Sequence, residues 1–415
     1  MSCARRSARA ALLGLLAVLS RTWALPAATA DEPRVVRQVI DGDFPGAYQV
    51  EVADVNGDGK PDVVVVGGST CAWFENPSWK KRIITTGGQS PGVISSATTD
   101  LDRDGKAEVA IAYDFEMNQP ARGKLRLARQ GSGPDDPWTL FPARDVPSIH
   151  RLRWGDVDGG GAPDLVVAPI FGLESKPPRF EGAGTIELLR NDGERDLSRW
   201  KSVPLLKSPV IHAIEVKPLP GLEGRSTVLA ASNDGVSIVD SFLTDGTAIT
   251  FVPRRLVDGS PGKAPKRGCS EVHLGRLAGD HPFLATLEPW HGGEVAVYPG
   301  REAKPGVREF GERTVIDSTL DDGHALWVAD VDGDGDDEIL AGHRGKDHRV
   351  SLYDYDRAAK TWKRSVLDRE VAAQDLRGGD LDGDGTPDVV AAGGATHNVV
   401  WYRFVQPSAG AAGVK

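Results

Sequence analysis

Cysteines and long apolar segments are scarce in this chain of 415 residues, and each scarcity excludes a class of protein. Of the three cysteines, Cys3 lies in an N-terminal leader, so only Cys71 and Cys269 remain and no disulfide framework is expected. No apolar run is long enough for a bilayer-spanning helix. Stretches with a helical period are almost absent, which favours an all-β protein.

The first 30 residues have the pattern of a secretory signal. Three arginines precede the apolar run "AALLGLLAVLS", and "ATA" at 28–30 is a small-residue cleavage site. We therefore expect cleavage near Ala30 and export to the periplasm or the medium. Loss of four arginines and no acids changes the net charge from -10 to about -14, which disfavours nucleic acid and anionic membranes as partners.

One unit repeats along the rest of the chain. Its marker is an acidic loop of nine residues followed by a short apolar run, and it occurs as "DVNGDGKPD" (54–62), "DLDRDGKAE" (100–108), "DVDGGGAPD" (156–164), "DVDGDGDDE" (330–338) and "DLDGDGTPD" (380–388). The first aspartates lie 46, 56, 174 and 50 residues apart, and the long gap has room for two further units with degenerate loops. The spacing predicts seven units.

A second marker gives the same count. A tryptophan or basic residue before an apolar pair recurs in six units, and a seventh example, "RVVRQVI" at 34–40, stands before the first unit. We therefore predict a seven-bladed β-propeller over residues 31–406, in which the N-terminal strand completes the last blade and closes the ring. Residues 407–415 are predicted to be a flexible tail.

The acidic loops have the ligand pattern of a calcium site. Carboxylates or amides at positions 1, 3, 5 and 9 can surround a hard cation with oxygen atoms. The predicted ligands are Asp54, Asn56, Asp58, Asp62, Asp100, Asp102, Asp104, Glu108, Asp156, Asp158, Asp164, Asp330, Asp332, Asp334, Glu338, Asp380, Asp382, Asp384 and Asp388. The third loop carries Gly160 at position 5, which weakens the expectation there. These loops resemble those of FG-GAP or VCBS repeats, and the resemblance implies a propeller with structural calcium.

Histidines form the second pattern. The residue six positions before the first aspartate begins the innermost strand of a blade, and three blades place His150, His212 and His324 there. Six residues of strand extend about 20 Å, so these histidines and the acidic loops lie at opposite ends of the ring. Three imidazoles with one open position are typical of a catalytic zinc site. We therefore predict zinc, or a similar metal, at the mouth of the central funnel.

Four segments, 148–172, 268–279, 287–298 and 323–346, resemble the propeller domain of the aldos-2-ulose dehydratase family. The resemblance implies zinc-dependent removal of water from keto-sugars such as 2-keto-aldoses or 1,5-anhydrofructose. Full-length dehydratase/isomerases add cupin domains after the propeller, and this sequence has none, so only the dehydration step is expected.

Within that chemistry we expect His291 and His343 to act as acid and base, since both follow strands that return to the mouth, and the alternative that either is a metal ligand stays open. Arg151, Trp290, Arg344 and Gln374 are expected to contact the sugar. Two alternatives remain open at this stage. The propeller can be a calcium-stabilised binding module for glycans or proteins, or a lyase for uronic-acid polysaccharides, although the acidic charge offers little support for the latter.

Overall fold

The computed structural model describes residues 34–218, 225–244, 248–304 and 307–406. The predicted signal sequence and the predicted C-terminal tail lie outside these ranges, and residues 33–406 form one compact unit. Among the described residues, no helix is long and apolar enough to cross a membrane.

The described chain forms seven antiparallel sheets arranged as the blades of a propeller, plus a two-stranded hairpin. Strand β1 (Arg34–Asp41) comes first. Blades 1 to 3 consist of β2 (Ala47–Ala53), β3 (Asp62–Gly67), β4 (Thr70–Glu75), β5 (Lys80–Thr85), β6 (Ser95–Thr99), β7 (Glu108–Tyr113), β8 (Lys124–Arg129), β9 (Thr139–Leu140), β10 (Arg144–Asp145), β11 (Ile149–Gly155), β12 (Asp164–Pro169), β13 (Ala183–Leu189), the short 3-10 helix Leu197–Arg199 and β14 (Ser202–Pro209).

Blades 4 to 7 and the hairpin follow. They consist of β15 (Ala213–Pro218), β16 (Ser226–Ser232), β17 (Gly235–Thr244), β18 (Ala248–Val257), the hairpin β19 (Ser260–Lys263) and β20 (Lys266–Gly268), β21 (Glu271–Leu277), β22 (His281–Glu288), β23 (Glu294–Lys304), β24 (Val307–Phe310), β25 (Thr314–Asp317), β26 (Gly323–Ala329), β27 (Glu338–His343), β28 (Arg349–Asp356), β29 (Thr361–Asp368), β30 (Ala373–Gly379), β31 (Asp388–Gly393) and β32 (Asn398–Val405).

The predicted seven-bladed architecture is therefore confirmed. Strand β1 pairs antiparallel with β32, so the N-terminal strand is the outermost strand of blade 7. The tryptophan and basic segments found in the sequence are the outer strands of the other blades, for example β5 and β29.

The hydrophobic core is divided among the interfaces between neighbouring blades. The second strand of each blade has apolar side chains on both faces, as in β3, where all six residues are buried. Side chains of blade 7, such as Val390 and Trp401, pack with Val50 and Phe74 of blade 1 just as other neighbouring blades pack together. The closing interface is thus an ordinary interblade contact.

Candidate metal centre

Local breaks in strand pairing place the side chains at the mouth of the ring. In four blades the register between the first and second strands shifts at one residue near the start of the first strand. The skipped residues are Tyr48, His150, His324 and Gln374. A β-bulge changes the direction in which the extra side chain points. The same break in pairing therefore occurs in four of the seven blades, each time at the residue six positions before the first aspartate of the acidic loop.

Four histidines meet at this end of the ring. The ring centroid of His212 lies 5.0 Å from that of His150, 5.0 Å from that of His291 and 4.8 Å from that of His324. The centroids of His291 and His324 are 5.1 Å apart. His150 and His324 are the second residues of β11 and β26, and His212 directly precedes β15. His291 lies in the turn after β22. The structure thus brings together the three predicted ligands and one of the two predicted acid–base residues.

The geometry favours a different third histidine for a metal site from the one that the sequence analysis chose. Ligand atoms of His212, His291 and His324 all lie within 4.8 Å of one another, and His150 is not in that set. The Nε2 atoms of His212 and His291 are 3.2 Å apart. Two imidazoles on a tetrahedral zinc ion at about 2.05 Å have nitrogens separated by roughly 3.3 Å. His291, and not His150, therefore belongs to the set of histidines that could hold a metal ion.

Hydrogen bonds on the far side of the rings turn Nε2 toward the centre. His212 Nδ1 is 2.8 Å from Glu271 Oε1, and His324 Nδ1 is 2.6 Å from the backbone oxygen of Gln374. Such acceptors leave the proton on Nδ1 and free the Nε2 lone pair for a metal. Glu271 was not identified from the sequence, because it belongs to a different blade from the histidine that it contacts.

The histidines are neutral. Burial lowers the pKa of His212 well below its usual value, and the positive charges of Arg151 and Arg344 lower it further. Burial, with Arg344 as the next cause, has the same effect on the pKa of His324. Burial also lowers the pKa of His291. Neutral imidazole is the form that binds a metal, so the electrostatics suit the donor set.

His150 lies beside the set and faces a hydroxyl group. Its Nε2 is 3.2 Å from Tyr48 Oη and 3.3 Å from a terminal nitrogen of Arg151. Since both neighbours can donate, His150 Nε2 is a hydrogen-bond acceptor and can take a proton. Tyr48 Oη is also 3.5 Å from His324 Nε2, so the phenol lies between the two imidazoles.

His343 is not brought to the cluster. Its Nδ1 lies 3.0 Å from the backbone oxygen of Asp321 and 3.3 Å from the backbone nitrogen of the same residue. Among the described residues, the ring contacts that join the other four histidines do not include His343. His343 is the last residue of β27, and its hydrogen bonds hold its ring against the neighbouring loop, so its predicted acid–base role stays a prediction without support from this geometry.

Two of the predicted sugar contacts are accessible and two are buried. Arg344 bonds Gln374 Oε1 at 2.7 Å, and both side chains are partly exposed at the mouth. Arg151 is 5% exposed, with its guanidinium over the Tyr48 ring. Trp290 is 6% exposed. Arg151 and Trp290 therefore support the site from within the protein instead of offering a surface to a sugar.

An aromatic cluster packs behind His291. Phe171 and Phe180, from the long loop of blade 3, are stacked at 4.6 Å, and the Trp290 ring meets each of them edge-on. The Trp290 ring centroid is 4.8 Å from that of His291. A loop of blade 3 thus crosses to blade 5 at the mouth, a contact that the repeat pattern does not predict.

Buried carboxyl groups line the funnel below the histidines. Burial raises the pKa of Glu51 to about 7, that of Glu271 to about 7 and that of Asp375 to about 8, although nearby arginines oppose these shifts. Arg153 approaches Glu51 at 3.2 Å. These groups lie on innermost strands, at positions that the sequence analysis did not single out.

At the other end of the ring the acidic loops share one backbone arrangement. In blade 7, the two carboxylate oxygens of Asp380 accept hydrogen bonds from the backbone nitrogens of Gly383 and Gly385 at 2.8 and 2.9 Å. Asp388 Oδ2 accepts from the Leu381 nitrogen at 3.3 Å. Blade 1 repeats these contacts. The first and last acids therefore also hold the loop in shape.

Metal-compatible carboxylate groups occur in four of these loops. They are Asp100, Asp102 and Glu108; Asp156, Asp158 and Asp164; Asp330, Asp332 and Glu338; and Asp380, Asp382 and Asp384. In blade 3, Arg190 Nε lies 2.6 Å from Asp158 Oδ2 beside Gly160. The loop of blade 1 uses Asn56 at position 3, where the others carry an aspartate.

A model of the FG-GAP-like repeat matches residues 54–111 and 330–391. Residues 54–111 and 330–391 are thus similar to FG-GAP-like repeats. The matched segments are the ones in which the acidic loops are complete. Aldos-2-ulose dehydratase of Phanerodontia chrysosporium is 24% identical over 347 residues, which cover 75% of this chain and 37% of that protein. The chain therefore spans little more than a third of the length of this curated relative.

Solved structures with low sequence identity have a similar fold. BBS1N, solved in complex with ARL6DN, is 12% identical with a TM-score of 0.51 and covers 89% of this chain and 96% of its own. Saccharomyces cerevisiae Sqt1 is 11% identical with a TM-score of 0.51, covering 85% of this chain and 83% of its own. At these identities the likeness concerns the fold alone.

Proposed function

We propose that this propeller is a metal-dependent dehydratase that removes water from a small keto-sugar at the histidine mouth. The observation that carries the proposal is the convergence of one ring nitrogen from each of His212, His291 and His324. Two of these rings are oriented by acceptors on Nδ1. The similarity to aldos-2-ulose dehydratase supports the choice of reaction and substrate class.

The donor set fits zinc or a similar transition metal better than calcium. All three donors are neutral imidazole nitrogens, whereas calcium prefers oxygen ligands. Three protein ligands leave a fourth position open, which is the arrangement of catalytic and not structural zinc sites. When bound, such a metal supplies a Lewis acid that polarises a carbonyl oxygen.

The remaining side chains supply the proton transfers. His150 Nε2 accepts hydrogen bonds from Tyr48 and Arg151, so it carries no proton and is proposed to take the proton from the carbon next to the ketone. His150 then returns a proton to the departing hydroxyl group, which leaves as water, and Tyr48, 3.2 Å away, orients the imidazole. Arg344 and Gln374, which are accessible at the mouth, hold the sugar.

The acidic loops are proposed to bind calcium and stabilise the ring. The crowding of carboxylates in these loops supports calcium binding. The pKa of Glu338 is raised to about 9, first by burial and next by the negative charge of Asp332. A bound cation removes this repulsion. We further propose that the chain is exported after cleavage near Ala30, and that its partner is a small sugar or glycan.

The test is the metal content of the purified mature protein. Wild type should hold about one zinc per chain in addition to calcium, and a His212→Ala/His324→Ala variant should lose the zinc and keep the calcium. His281→Ala, at an exposed histidine outside the cluster, is the matched control and should behave as wild type. Loss of water from 1,5-anhydrofructose or a 2-keto-aldose is then followed by the ultraviolet absorbance of the enone product. Calcium alone in every variant would contradict the dehydratase and favour a calcium-stabilised binding module.

A further inference from the structure

The hydrogen bonds of the histidine cluster determine where each proton lies in the metal-free protein. His212 Nδ1 faces Glu271 Oε1 at 2.8 Å and the backbone oxygen of Ser270 at 3.2 Å. A backbone carbonyl can only accept, so Nδ1 of His212 carries the proton and its Nε2 is an acceptor. The group 3.2 Å away, His291 Nε2, must then be the donor.

The other nitrogen of His291 agrees with this assignment. Its Nδ1 lies 3.1 Å from a terminal nitrogen of Arg344. A guanidinium has donors and no acceptor, so it favours a His291 ring whose Nδ1 is unprotonated. Arg344, His291, His212 and Glu271 therefore form one chain of hydrogen bonds with a single direction.

A metal held by both Nε2 atoms requires the opposite arrangement at His291. The Nε2 proton has to leave, and a neutral ring must then carry its proton on Nδ1. Arg344 cannot accept a hydrogen bond from that Nδ1–H. The carboxylate of Asp322 can, because its Oδ1 is 3.5 Å from His291 Nδ1.

Asp322 is prepared for this role in two ways. Its Oδ2 is held by Arg344 Nε at 2.8 Å, whereas its Oδ1 is buried and has no hydrogen-bond partner among the described residues. Both His291 and Asp322 also have left-handed backbone conformations, with φ of +47° and +60°. Such conformations are uncommon for residues other than glycine and concentrate at functional sites.

We propose that Asp322 is a positioning residue that accepts the Nδ1–H hydrogen bond of His291 when metal binds, and that Arg344 stabilises the opposite tautomer in the metal-free protein. The inference rests on the proposed metal site. The imidazole stays neutral throughout: one proton leaves Nε2, one proton is gained at Nδ1, and the bond from Arg344 to Nδ1 is broken. Arg344 keeps its bonds to Asp322 and Gln374.

The first experiment measures zinc affinity by competition with a chelator. Asp322→Asn and Asp322→Gly both suit the left-handed backbone, and Asp322→Gly removes the acceptor entirely. Loss of such a partner typically weakens metal binding by about 10- to 100-fold. Asp347→Asn is the matched control, since Asp347 is exposed on the same rim with φ of +53°. It should change the affinity less than about twofold.

The second experiment observes the His291 tautomer by 15N NMR with labelled histidine, assigned through a His291→Gln variant. We expect the proton on Nε2 without metal and on Nδ1 after zinc is added. A proton already on Nδ1 in the metal-free protein contradicts the inference. Equal zinc affinity in the Asp322 variants and in Asp347→Asn also contradicts it, while the dehydratase proposal survives. If wild type binds no zinc, the proposed function fails as well.

Discussion

The two ends of the ring are built in different ways. Each acidic loop draws its candidate ligands from nine consecutive residues, as Asp380 to Asp388 show, and its shape comes from hydrogen bonds within the loop. The histidine centre joins residues as far apart as His212 and His291, which are 79 positions apart in the chain. A site of the first kind is a property of a short segment, whereas one of the second kind exists only in the closed ring.

The largest effect should come from a ligand at the histidine end. His212→Ala should lower dehydration activity at least about a thousandfold, because a Lewis acid contributes several kcal/mol to such a reaction. The thermal midpoint should change much less than the activity does. Enone formation and calorimetry on the same preparation test this, and retained activity would remove the histidine centre from the mechanism.

A substitution in an acidic loop should lower stability more than activity. Asp380→Asn should cost one calcium and about 2.7 kcal/mol of stability when calcium is about one hundred times Kd, with activity at low temperature unchanged. Asp156→Asn in blade 3 should cost less, since Gly160 interrupts the ligand pattern there and Arg190 already contacts Asp158. Calcium-dependent melting curves of the two variants compare the loops, and equal losses would show that blade 3 binds calcium normally.

A smaller loss is expected at Tyr48. Tyr48→Phe should lower kcat about tenfold, as loss of one hydrogen bond near the reacting groups costs about 1.4 kcal/mol. Zinc content should not change, because the phenol is not in the ligand set. Steady-state kinetics and zinc analysis of the same preparation separate an effect on kcat from a loss of metal. Loss of zinc would instead make Tyr48 part of the metal centre.

A separate effect should be a change in the pH dependence of stability. Burial raises the pKa of Asp375 to about 8, so its carboxyl group stabilises the fold when protonated, and this stability is lost as pH rises from about 4 through 8. Asp375→Asn should therefore reduce the fall in thermal midpoint across that window. Melting curves at several pH values measure it, with Asp347→Asn as an exposed control.

Much of the fold was predictable from the sequence because the repeat is local. The acidic loop, the apolar second strand and the outer-strand marker recur in order, and the blade count and strand positions follow from them. The position of His150 and His324 was predictable for the same reason, since both occupy a fixed place relative to the acidic loop.

The assignment of roles was not predictable. In the proposed site His150 and His291 exchange roles because ring orientation depends on contacts from other blades: Tyr48 faces His150, and Arg344 and Asp322 face His291. His343 lies apart from the cluster for a related reason. A strand that returns to the mouth does not determine the orientation of the side chain at its end. The hydrogen bonds of His343 direct its ring to Asp321.

The sequence by itself determined the propeller and its two chemically different ends, because the period of the repeat and the reach of a six-residue strand are properties of the local chain. Only the tertiary structure decided which imidazoles converge and that Glu271 orients one of them. It also decided that one oxygen of Asp322 has no hydrogen-bond partner within the part of the chain that the structure describes. These features depend on side chains from separate blades meeting at ångström distances, and ring closure alone brings them together.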